Sequence, residues 1–107
     1  MSGGLWALTS KSPRDPETPI QLQDRRGVFA DFVCTAQLSD TVCLRFIDPY
    51  GDTIFNYLQL PVLLEELELH GRLATDAELR AHIRSMIELV KRANAGGPDM
   101  FVKFVGD

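Results

Sequence analysis

The chain has 107 residues, 45% of them hydrophobic and 24% charged, with a formal net charge of −4. That length accommodates one domain, large enough to bury a core without disulfides or metal. No run of about 18 apolar residues is present, so no membrane-spanning helix is expected, and no cationic stretch leads into an apolar one at the N-terminus as a secretion signal would require. The expected compartment is therefore the cytoplasm.

The charge is unevenly placed. Segment 28–74 carries Arg45 and Arg72 against Asp31, Asp40, Asp48, Asp52, Glu65, Glu66 and Glu68, whereas the flanking segments are close to neutral. A negative middle repels polyanions, so nucleic acid is not an expected partner, and without an apolar run neither is a membrane.

Residues 1–19 contain Gly3-Gly4 and then Pro13, Pro16 and Pro19, a pattern for an extended arm or linker ahead of a single domain over 20–107. Within the arm, Leu5, Trp6, Ala7 and Leu8 form an apolar island. It either folds back on its own domain or crosses to a neighbouring subunit.

From Val28 the apolar residues alternate. Val28, Ala30, Phe32, Cys34 and Ala36 mark one face of a first strand, and Val42, Leu44 and Phe46 continue that face in a second strand over 41–47. Asp48-Pro49-Tyr50-Gly51-Asp52 supplies turn chemistry before a third strand over 53–58. Leu60, Leu63, Leu64 and Leu67 then form a helical stripe opened by Pro61 and stopped at Gly71. Thr75 and Glu78 form a capping box for a longer helix to about Asn94, with Leu79, Ile83, Met86, Ile87 and Val90 on its apolar side. The pairs Asp76/Arg80 and Glu88/Arg92 brace its wet side. Gly96-Gly97-Pro98 ends it, and a last strand occupies 100–105. The expected fold is a two-layer α+β sandwich in the order β-β-β-α-α-β, a four-stranded antiparallel sheet with two helices on one face.

Chemistry-bearing residues are few. Cys34 and Cys43 fall on opposite strand faces in this reading, which disfavours a bridge and favours two buried, inert thiols. His70 sits at a helix end as a capping cation, with Glu66 one turn back, and His82 lies beside the apolar stripe facing Glu78. The histidines lack metal-ligand spacing, Asp48 and Asp52 suit a plain turn better than a calcium loop, and Glu65, Glu66 and Glu68 read as a solvated helix face. No catalytic motif is present, and neither a metal nor a cofactor is expected.

The informative feature is the sheet face opposite the helices, which this reading assigns to Phe29, Val33, Cys43, Ile47, Phe55, Tyr57 and Phe101, with a few charges among them. Such a face suits an interface, and Trp6, Phe29, Val33, Ile47, Phe55, Tyr57 and Phe101 are its candidate residues. The meander followed by an α-hairpin, together with the ending Met100-Phe101-Val102-Lys103-Phe104-Val105-Gly106-Asp107, resembles small bacterial proteins of mobile gene cassettes, including integron cassette proteins, and some immunity proteins. The resemblance implies an α+β protein of a class that often self-associates and has no shared catalytic motif. The leading expectation is a non-enzymatic, homodimeric interaction module. The alternative is a small-molecule binder or small enzyme with Asp31, Arg45, Tyr57 and His82 in a pocket between sheet and arm or between subunits.

Overall fold

The computed structural model describes residues 6–9, 21–24, 27–36 and 38–106. In chain order it forms β1 (Trp6–Thr9), β2 (Gln21–Gln23), α1 (Val28–Thr35), a short 3-10 turn (Leu44–Phe46), β3 (Asp52–Asn56), α2 (Leu60–Leu73), α3 (Ala77–Ala95) and β4 (Phe101–Val105). The class is mixed α+β and every strand pairing is antiparallel, in the order β2-β1-β4-β3. The last strand of the chain is thus internal to the sheet. Phe104 faces Ala7 on one side and Thr53 on the other, and Val102 faces Thr9 and Phe55.

Side-chain alternation in β4 follows from this position. Val102 and Phe104 are fully buried, while Phe101, Lys103 and Val105 on the opposite face are half-buried. The buried pair joins Phe29, Phe55, Leu60, Leu63, Leu67, Ile83, Met86 and Val90 in one core. Phe104 stands at its centre, 6.0 Å from Phe29 and 5.9 Å edge-on from Phe55, measured between ring centroids. Pairs in these geometries add to plain area burial.

Several expected elements do not form. Segment 28–36 is no strand: residues Val28–Thr35 are helix and Ala36 is its extended C-cap. Its apolar residues fit both periods, since Phe29, Phe32, Val33 and Ala36 also recur at helical spacing. Asp24 decides between them: its Oδ2 accepts the N–H groups of Phe29 (3.1 Å) and Ala30 (2.9 Å), closing the open N-terminus of α1 behind Gly27, which takes φ 69°. Segment 41–47 is likewise no strand. Glu66, reaching from α2, accepts N–H bonds from Val42, Cys43 (3.1 Å) and Leu44 (3.0 Å) and curls the chain into the 3-10 turn. With both strands gone, so is the β-β-β-α-α-β order and the meander on which part of the cassette-protein resemblance rests. The sheet instead recruits residues 6–9, expected in an extended arm; Pro13, Pro16 and Pro19 lie outside the described residues.

The helical hairpin is closer to expectation. α2 runs through Gly71 rather than stopping there, because the glycine serves packing: a Cβ at this position would stand 3.1 Å from Ile83 Cγ2. The cap of α3 is Asp76, which accepts Leu79 N–H at 3.0 Å, rather than the Thr75/Glu78 box. The expected Asp76/Arg80 pair is absent, since that carboxylate is committed to the cap; on the wet side Glu88 meets Lys91 at 3.9 Å.

The Glu66 clamp gives a direct test. In Glu66→Gln an amide NH₂ replaces one of the two acceptor oxygens facing three N–H donors, which should cost on the order of 2 kcal/mol. Urea denaturation should show the lower midpoint, with amide exchange rising first at Val42, Cys43 and Leu44.

Candidate functional site

The four residues expected to line a pocket belong to four different parts of the fold. Asp31 is exposed on α1, Arg45 lies exposed with its guanidinium 4.8 Å over the Phe46 ring, Tyr57 is half-buried just beyond β3, and His82 is half-buried on α3. His82 borders a cleft, and its companions there are Gln23, Asp24, Val28, Glu78, Ala81 and Ser85, around a volume of about 320 Å³. Asp31, Arg45 and Tyr57 are not among the residues that line it. The signal missed in the sequence is Asp24, whose position five and six residues ahead of Phe29 and Ala30 suits the capping of a helix that the strand assignment did not contain.

The polar atoms of this cleft have an unusual feature. Asp24 is 2% exposed, with Oδ2 engaged by α1, while its Oδ1 is buried and has no hydrogen-bond partner. His82 Nε2 is also buried and without a partner, and its ring packs 5.7 Å from Phe29. Burial holds the imidazole below its ordinary pKa, an effect opposed by the negative charge of Asp24. Serine, histidine and aspartate thus share one cleft, but no hydrogen bond connects Ser85, His82 and Asp24, and Ser85 follows His82 by less than one helical turn. The arrangement is a polar cleft beside a helix cap, not a nucleophile–base relay.

The remaining candidates resolve simply. Among the described residues no group of three His, Cys, Asp or Glu could hold a metal ion. Asp48 Oδ1 accepts Tyr50 N–H at 2.9 Å, as a turn aspartate does, and Asp52 lies 3.5 Å from Lys103 Nζ. Both cysteines are free; Cys34 is exposed on α1 rather than buried, whereas Cys43 is buried. Burial first, then the nearby Glu66 charge, pushes the Cys43 thiol up to about 11, so it is a poor nucleophile. His70 stands edge-on to Phe32 at 5.5 Å, and Glu66 is turned instead toward the 42–44 amides.

Among the residues expected at an interface, Phe29 and Ile47 are buried inside this chain and Val33 packs against the same core, because segments 28–36 and 41–47 are not strands, and Phe55 is buried because its register opposite Val102 puts it on the core face of β3. Phe101 does lie on the outer sheet face, in the row of Val105 and Ile54. Trp6 is placed by its backbone, opposite Val105 in β4 and Gln23 in β2. No protein-family model, curated protein or solved structure matches the sequence.

The lowered pKa of His82 makes stability depend on pH with a definite sign. Its unfolded value is about 6.5, so on acidification the unfolded chain takes up the proton first. The contribution is complete above that value and is lost as pH falls from there through the lower folded value. Urea midpoints taken between pH 7.5 and about pH 5 should fall less steeply in His82→Gln than in the natural chain; equal slopes would refute the assignment.

Proposed function

We propose that the chain is a protein-interaction module without catalytic activity, a two-layer α+β domain that self-associates. The observation that carries this reading is the hydrogen-bonding state of the β3 edge. Gly106 N–H donates to Gly51 O at 2.7 Å, and the register pairing Asp52 with Val105 makes these two glycines a directly facing pair. Facing pairs in an antiparallel ladder alternate between bonded and non-bonded. Thr53 and Phe55 therefore bond toward β4, and Asp52, Ile54 and Asn56 turn their N–H and C=O groups outward.

Asn56 is already occupied on both sides, its N–H donating to Gln59 Oε1 and its carbonyl accepting from Gln59 N–H, each at 2.9 Å. Asp52 and Ile54 remain, and among the described residues no strand lies beyond β3. Two chains meeting about a twofold axis at Thr53 would set Asp52 of each against Ile54 of the other and complete four hydrogen bonds. Ile54, 55% exposed, would bury apolar surface in the same step. An open edge is ordinarily guarded by charge; here the guard is Asp52, whose charge is offset by Lys103.

Ile54→Pro removes an N–H that the β4 ladder does not use, at an edge where proline is tolerated. Sedimentation velocity over a concentration series should show a reversible dimer for the natural chain and at least roughly tenfold weaker association for the variant, with circular dichroism unchanged. A natural chain that stays monomeric at high micromolar concentration would overturn the reading.

A further inference from the structure

We infer that the cleft between α2 and α3 is a binding site for a small phosphate-bearing anion. The cleft has a volume of about 240 Å³ and is lined by Glu68, Gly71 and Arg72 from α2 and by Arg80, Ile83, Arg84 and Ile87 from α3. Three arginines thus border one small space in a chain whose net charge is negative.

The arginines are not held by neighbours. None of the three side chains makes an ion pair, a hydrogen bond or a ring contact among the described residues, and neither does the Glu68 side chain, although it shares the cleft. The reason is local. Arg80 would ordinarily meet Asp76 one turn earlier, but the Asp76 carboxylate accepts the Leu79 N–H as the cap of α3. Arg80 and Arg84 are themselves one turn apart on α3, a like-charge spacing that is unfavourable without a counter-charge between them. Arg72 comes from the last turn of α2. An anion in the cleft would relieve all three at once.

The chemistry favours phosphate. A guanidinium presents paired N–H donors that match two oxygens of a phosphate or carboxylate, and the bonds are strengthened by charge on both sides. Three guanidiniums against one carboxylate leave two positive charges in excess, which a phosphomonoester dianion neutralises and a monocarboxylate does not. Ile83 and Ile87 supply an apolar wall for whatever carries the phosphate. Gly71 makes the depth possible, since any side chain there would press on Ile83. The space suits a compact group, not a nucleic-acid strand, in keeping with the acidic character of the rest of the chain.

The test is titration with phenyl phosphate in low-salt buffer, followed by amide NMR shifts and calorimetry, on the natural chain and on Arg80→Gln, Arg84→Gln and Arg72→Gln. Each variant should weaken binding about tenfold, the loss of one charge-assisted contact, and circular dichroism should match the natural chain. Arg92→Gln, on the same helix but outside the cleft, should leave affinity unchanged, and Glu68→Gln should tighten it several-fold by removing the opposing charge. Added sodium chloride should weaken binding by screening an exposed site. Absence of saturable binding up to about 10 mM, shifts centred elsewhere than on Arg72, Arg80 and Arg84, or an equal loss in Arg92→Gln would overturn the inference. Benzoate binding as tightly as phenyl phosphate would overturn the assignment to phosphate.

Discussion

A backbone N–H taken out of water must find an acceptor, and in this protein two side-chain carboxylates supply acceptors that the sheet does not. Asp24 closes the first turn of α1 with one oxygen, and Glu66 gathers Val42, Cys43 and Leu44 from the chain passing across α2. These contacts settle where apolar residues 28–47 go. Held by carboxylates, the segment winds into a helix and a tight turn, which places Phe29 and Leu44 in the core and keeps both stretches out of the sheet.

The sheet must then be completed from elsewhere, and the ends of the chain complete it. β4 pairs with β1 on one side and β3 on the other, so nearly the whole sequence separates the two partners at one of its borders. Closing such a loop costs entropy before any contact repays it. The repayment comes from Phe104 and Val102, which reach the core between α1, α3 and β3. Glycine at position 71 lets α2 approach α3 closely at Ile83, bringing Leu63, Leu67, Met86 and Val90 into the same cluster.

Charged side chains committed to the backbone also shape the surface. Because Asp76 caps α3, Arg80 is left to the α2–α3 cleft; because Glu66 holds the 42–44 amides, His70 meets Phe32 instead. Because Asp24 gives one oxygen to α1, its other oxygen lies orphaned near His82, where low dielectric makes an unpaired charge costly. In each case a short-range bond to the main chain decides which ionic group remains available to a ligand or a partner. The same accounting along β3 separates Asn56, closed by Gln59, from Asp52 and Ile54, which stay open.

The sequence by itself determined the α+β class, the helical hairpin with its stripes at Leu60, Leu63, Leu67, Ile83, Met86 and Val90, and the strands near 52–56 and 101–105. Those segments have one dominant period, and local physics is enough to read it. It did not determine segment 28–36, whose apolar residues fit both a strand and a helix, nor 41–47, whose conformation depends on a glutamate more than twenty residues away. Of the expected pocket residues, Asp31 and Arg45 fall in segments 28–36 and 41–47, whose expected strands do not form, whereas Tyr57 follows β3, which does form, and His82 borders a cleft. Which side chains share a cleft, and which carboxylates are already engaged, are properties of long-range contacts; no window along the chain contains both Glu66 and Val42, or both Asp24 and His82, and only the tertiary structure could decide them.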